Sequence, residues 1–450
     1  MKRKIYDQLL DWKSQSNGNT ALLIDGARRV GKSYIVKEFG QREYKSHIIL
    51  DFNNIPKQVL ELFENYLTDL DTFFMYLGLY YNIKLEPRHT LIVFDEVQLY
   101  PRARAAIKYF VADGRYDFIE TGSLVSINKN VKDIVIPSEE RRINMFPMDF
   151  EEFMWAMGED TLMTLIRQCF NNHKPMGADM HRKAMTLFRQ YMIVGGMPQA
   201  VREYVSTKDF TRTDSIKRDI LALYRNDIRK YASGYEMKVT GIFDEIPAQL
   251  QRHEKKFKLA DIQTNARMRE YESSFFWLKD SMVVNICYGA TEPSLGLRLK
   301  LDSMTLKCYM ADTGLLISLA FDENQIATEE LYKKLMLGKL EINEGMLVEN
   351  IVAQMLTAAG HKLYFFSSYS KDYAEDRMEI DFLIAKQKIT SRHNISPIEV
   401  KSSNGYALSS LKKFYNKYGQ MLSTSYVLHS GDFKEENGIC FMPLYMTPLL

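Results

Sequence analysis

Eight residues constrain this chain more than any others: Gly26-Ala27-Arg28-Arg29-Val30-Gly31-Lys32-Ser33 spell G-x-x-x-x-G-K-[ST]. The apolar run Ala21–Ile24 precedes them and reads as a buried strand, and Ser33–Phe39 follows and reads as a helix. In that setting the backbone N–H groups of the loop face inward and the helix N-terminus adds partial positive charge, so the loop cradles a polyphosphate. The expected binding set is Gly26, Ala27, Arg28, Arg29, Val30, Gly31, Lys32, Ser33 and Tyr34. Lys32 is expected to reach the β- and γ-phosphates of a nucleotide, and Ser33 to ligate its Mg²⁺.

A second stretch fits the first. Thr90-Leu91-Ile92-Val93-Phe94-Asp95-Glu96 is an apolar strand ending in two carboxylates. Such a run suits a central parallel strand covered on both faces, with its acids at the C-terminal edge where α/β sheets bind ligands. Asp95 is expected to hold Mg²⁺, and Glu96 to orient or deprotonate the attacking water. By itself the pair also reads as a solvated turn after a strand; the loop upstream changes that weighting. Tyr116–Ser123 looks like a further strand, and Thr121 or Ser123 at its end would sense the γ-phosphate, with ordinary turn chemistry as the other reading.

A chain of 450 residues has room for two to four domains. Lys+Arg 59 against Asp+Glu 57 leaves a net charge of +2, which excludes a strongly basic nucleic-acid coat but not a local patch. Cys169, Cys287, Cys308 and Cys440 lie far apart with no C-x-x-C, so neither a disulfide framework nor a zinc site is expected. No apolar run approaches the roughly 18 residues that cross a bilayer, and the start of the chain does not read as a signal peptide. A cytoplasmic protein is expected.

The pattern is α/β. Residues 1–150 alternate strands (21–25, 47–52, 90–95, 117–121, and a fifth at Ile143–Phe146) with helices, the outline of a nucleotide-binding domain. Residues 151–235 read as helical, broken by Gly195-Gly196-Met197-Pro198, a hinge or a tight packing point. Residues 236–325 read as helices followed by a two-stranded ribbon (Val283–Tyr288 and Leu306–Met310), the outline of a winged helix. Lys255, Lys256, Lys258, Arg267 and Arg269 would offer DNA positive charge there; a protein-binding adaptor with solvated lysines fits equally well. Asp322–Leu340 reads as a linker.

Residues 340–450 read helix, three strands, helix, strand. Glu349 lies on the helix, Asp381 on the second strand, and Glu399 and Lys401 on the third, two apart and so on one face. Asp381 and Glu399 would hold a divalent cation through hard oxygens, with Glu349 completing the shell and Lys401 stabilising transition-state charge, for phosphodiester cleavage. A salt-bridged sheet without chemistry fits the same residues, and the strand pattern alone favours it.

Taken together, Gly26–Ser33, Leu91–Glu96 with Gln98, Thr121-Gly122-Ser123, Pro147–Phe153, Gly195–Pro198 and Asp312-Thr313-Gly314-Leu315 resemble the AAA-like P-loop ATPases of archaea and anaerobic bacteria. The resemblance spans nearly the whole chain. It implies a P-loop domain, a helical region with a winged helix, and a C-terminal restriction-endonuclease-like domain of the PD-(D/E)xK type. Glu349, Asp381, Glu399 and Lys401 then fall where that nuclease pattern has its residues. Such domains are often inactive. One departure is that the Gly-Arg pair seen before the Pro-Leu-Ser-Phe-type motif is absent; Arg141 or Arg142 stands nearest.

The expected function is ATP binding and Mg²⁺-dependent hydrolysis driving conformational change, acting on or with DNA. ATP over GTP follows from the resemblance. A nucleotide-regulated DNA nuclease and a scaffold ATPase that recognises a protein are the alternatives; no membrane partner is expected.

Overall fold

A computed structural model describes residues 1–123, 137–252, 254–294, 296–321, 328–337, 344–385, 394–402 and 405–450. They form two compact units, 1–146 with 280–282, and 147–279 with 283–450. Apart from 280–282, the segments 151–235, 236–325 and 340–450 thus share one unit. Of the expected linker, 322–327 and 338–340 lie outside the described residues.

The first unit is built on a five-stranded parallel sheet in the order β2-β3-β4-β1-β5, with β1 Ala21–Asp25, β2 Ser46–Asp51, β3 Thr90–Asp95, β4 Asp117–Gly122 and β5 Glu140–Asn144. Every residue of β1, β3 and β4 is buried, as a parallel sheet covered on both faces requires. Helices α1 (Ile5–Ser16), α2 (Lys32–Glu43), α3 (Lys57–Asn65), α4 (Leu70–Tyr81) and α5 (Pro101–Asp113) accompany it. Proline opens α5 and Gly114, at φ 71°, closes it. One face of the sheet packs Leu23, Ile92, Phe94 and Phe118 with Phe63 and Phe73, and Phe110 stacks on Phe118 at 5.2 Å. Side chains alternate along a strand, so Asp95 and Thr121 leave from the opposite face. The fifth strand lies earlier than the apolar signal at 143–146: β5 is polar and only half covered, and pairs with β1 through Glu140–Asn144.

The second unit carries an eight-stranded mixed sheet in the order β12-β13-β11-β10-β9-β8-β6-β7. Its strands are β6 Val284–Ala290, β7 Leu301–Met310, β8 Tyr364–Ser368, β9 Met378–Ala385, β10 Ile395–Val400, β11 Ser425–His429, β12 Lys434–Glu436 and β13 Ile439–Pro443. This corrects the winged-helix expectation. The ribbon β6–β7 is antiparallel as foreseen, but β6 also pairs in parallel with β8, so it is the edge of the C-terminal sheet and not a free wing. The expected single last strand is three.

The helix Glu344–Ala358 is buried from Met346 to Leu356. Its polar residues are satisfied internally: Asn350 accepts from Met310 N at 2.9 Å, and Gln354 accepts from Thr313 N at 2.8 Å and donates to Tyr191 Oη at 3.0 Å. Two of the motifs meet beside it. Asp312 caps the helix Thr313–Ala320 by accepting from Leu315 N at 2.9 Å and also accepts from Gly196 N at 2.5 Å. A Cβ on Gly196 would lie 2.1 Å from Met148 O, and one on Gly314 would lie 2.5 Å from Val194 O. Gly195-Gly196-Met197-Pro198 is therefore a tight packing point.

Candidate functional site

The phosphate loop joins β1 to α2. Gly31 sits at φ 99° and Arg29 at φ 72°, the left-handed geometry that curls the loop. A Cβ on Gly26 would lie 2.4 Å from Met145 O, so backbone approach there admits glycine. Asp25, at the end of β1, accepts from Gly26 N at 2.8 Å and pairs with Arg142 of β5. Arg3 braces the loop from outside, donating to Val30 O at 2.9 Å and to Phe146 O at 2.7 Å. Ala27 and Val30 are buried, Arg28 half-buried, and Arg29, Ser33 and Tyr34 exposed.

Lys32 opens α2, buried, and folds back over the loop to donate to Gly26 O at 2.8 Å and Ala27 O at 3.0 Å. Burial pulls its ammonium below the ordinary lysine value, against the pull of Glu96, Asp25 and Asp95. The next residue turns to the sheet: Ser33 Oγ donates to Asp95 Oδ1 at 3.0 Å, and Thr121 Oγ1 donates to the same oxygen. Burial raises the Asp95 carboxyl, and those two hydroxyls lower it in part. Strand β4 lies between β1 and β3, so Thr121 stands beside Asp95, and Glu96 N reaches its hydroxyl at 3.5 Å. Glu96 itself adopts φ 55°, strained for a non-glycine residue, and its carboxylate accepts from Gln98 Nε2. Ser123 is buried just past β4. Loop, Ser33, Asp95, Glu96 and Thr121 thus converge at one edge of the sheet. Asp25, Arg142 and Arg3 were not foreseen as parts of the loop's support; the sequence signal was the lone acid ending β1.

These groups fit a nucleotide and its metal. Ser33 and Asp95 put two hard oxygens 3.0 Å apart beside the glycine-bearing loop that opens α2.

The C-terminal set is differently arranged. Asp381 accepts from Val400 N at 2.8 Å, which places it opposite Glu399 across β9 and β10. Lys401 pairs with Glu399 at 2.5 Å, and Glu399 Oε1 is buried without a hydrogen-bond partner. Into the space among the other acids comes a residue not foreseen: Lys307 of β7 lies 2.9 Å from Glu379, 3.3 Å from Glu349 and 3.9 Å from Asp381. Lys255 and Tyr309 also bind the Glu349 carboxylate. Among the described residues, no group of three His, Cys, Asp or Glu is placed to hold a metal ion. The cluster does not fit the metal that the nuclease resemblance implies; a salt-bridged network fits it. The basic stripe expected around residue 255 is also spoken for in part. Lys255 points to Glu349, while Lys256 and Lys258 reach Glu254 at 3.7 and 3.4 Å.

Residues 18–154 match the AAA domain family, so the chain carries an AAA-type P-loop domain. Residues 185–325 and 344–447 match two domains of unknown function, DUF8612 and DUF4143. No curated protein matches. Similar solved structures include a Walker-type ATPase of Pyrococcus abyssi (16% identity, 71% of this chain and 95% of that one, TM-score 0.41). Drosophila ORC bound to DNA (11%, 71% and 93%, 0.29) and Aeropyrum pernix ORC1 in complex with DNA (10%, 73% and 94%, 0.25) are also similar. No described helix is long and apolar enough to cross a membrane.

Proposed function

We propose that the first unit binds ATP with Mg²⁺ and hydrolyses it. The observation that carries the reading is the convergence of Ser33, Asp95 and Thr121 beside a loop whose lysine rests on carbonyl oxygens. Lys32 leaves Gly26 O and Ala27 O for the β- and γ-phosphates, a better partner for an ammonium than a carbonyl. Ser33 and Asp95 would hold the metal, and a bound metal would neutralise charge on the phosphates. Glu96, held by Gln98, orients and deprotonates the attacking water. Thr121 reports the γ-phosphate to Asp95. Arg142 beside Asp25 keeps the first peptide of the loop in place.

Phosphate release from ATP by the purified chain, with Lys32→Ala and Glu96→Gln beside it, tests this. Lys32→Ala is expected to abolish nucleotide uptake in calorimetry; Glu96→Gln is expected to retain uptake and lose turnover about a hundredfold or more. Equal turnover in all three would refute the assignment.

The partner class that the lysine pairings favour is a protein. The cations expected to meet DNA phosphates at residues 255–258 are paired within the chain, which favours a scaffold role over DNA engagement on that face. Steeply salt-dependent DNA binding would reverse this preference.

A further inference from the structure

We infer that Lys307 is the resident cation of the C-terminal carboxylate cluster: its ammonium takes the place a divalent metal would occupy among Glu349, Glu379 and Asp381, and the cluster is metal-free by construction. The inference is independent of the ATPase reading. Lys307 sits in the apolar strand Leu306-Lys307-Cys308-Tyr309-Met310 and is 1% exposed. A buried ammonium persists when carboxylates surround it, and three do, at 2.9, 3.3 and 3.9 Å. It comes from the segment 185–325, while the acids come from 344–447. The cluster therefore forms only when β7 is docked into the sheet.

Charge balance points the same way. The acids are Glu349, Glu379, Asp381 and Glu399; the cations are Lys307, Lys255 and Lys401. One negative charge is left over. A divalent ion bound by the same oxygens would sit at roughly 2.0–2.6 Å from them and thus against the Lys307 ammonium, in a site already near neutrality. Removing Lys307 changes the sum: four acids would face two ammoniums, which is the deficit a divalent ion fills.

Mn²⁺ titration of the nucleotide-free full chain, followed by electron paramagnetic resonance up to roughly 1 mM, the weak end for carboxylate sites, tests this. Wild type and Asp381→Asn are expected to take up the same number of ions. Lys307→Met is expected to gain one ion per chain, and Lys307→Met with Asp381→Asn to lose it again. A wild-type ion that Asp381→Asn removes, or Mn²⁺-dependent DNA cleavage that Asp381→Asn abolishes, would overturn the inference. So would a folded Lys307→Met chain that takes up no extra ion. If Lys307→Met does not fold, the wild-type and Asp381→Asn pair decides.

Discussion

Two buried lysines, Lys32 and Lys307, show what separates a site from a brace. Lys32 rests on two backbone carbonyls, and burial pulls its ammonium below the ordinary value. For Lys307 burial pulls the same way, but Glu349, Glu379 and Asp381 outweigh it and hold the ammonium well above that value. One cation is under-compensated and gains by meeting a polyphosphate; the other is saturated and gains nothing from a ligand. Burial alone distinguishes neither; the partners do.

The largest effect that tests this contrast is on stability. Lys307→Met takes the shared ammonium from Glu379 and Asp381 and leaves the buried Glu349 with Lys255 and Tyr309 alone, and is expected to cost about 3 kcal/mol. Lys32→Met removes an ammonium that burial disfavours and is expected to change stability by no more than about 1 kcal/mol. Urea unfolding of both variants checks it, and a reversed order would break the comparison.

Packing comes next. Gly196→Ala drives a methyl toward Met148 O and is expected to cost about 1–3 kcal/mol by overpacking while leaving nucleotide uptake intact. Lost uptake without lost stability would give that glycine pair a role beyond packing.

The third test uses pH. Asp381 is lifted from 3.8 to about 7, so the folded chain binds its proton more tightly than the unfolded one. Its contribution is fully present below about pH 4 and is lost as pH rises toward 7. Glu349 is lowered from 4.5 to about 2: burial raises it, but Lys307 and Lys255 outweigh burial, so its contribution is lost only on acidification below 4.5. Between about pH 5 and 7.5 the chain is therefore expected to lose on the order of 1–2 kcal/mol, screened by the nearby ammoniums, and Asp381→Asn to flatten that slope in denaturation curves.

The smallest effect concerns the loop's support. Asp25→Asn breaks the pair with Arg142 and slackens the hold on Gly26 N. KM for ATP is expected to rise about tenfold with kcat nearly unchanged, equivalent to about 1.4 kcal/mol. An unchanged KM would confine Asp25 to folding.

The nucleotide site was legible because its parts are local. Ala21–Ser33 and Thr90–Glu96 each carry a strand and the turn after it in one short stretch, and the strand ends bring them together. Pairing between distant strands is not written locally. The parallel pairing of β6 with β8 joins residues more than seventy positions apart, so the ribbon read as a wing. Lys307 was overlooked for a related reason, though a clue existed: a single charge inside Leu306–Met310 had to find a buried partner. Glu349, Asp381, Glu399 and Lys401 do cluster as their spacing suggested, but the residue that decides their chemistry comes from outside that segment.

That β6 and β7 complete the sheet of β8–β13 has a hereditary consequence. Residues 185–325 and 344–447 cannot be traded independently between genes, because recombination between them would strand an acidic pocket without its lysine and leave an open, sticky border on β8. Any lineage that keeps one half should keep the other, and lysine at the Lys307 position should travel with the acids it neutralises.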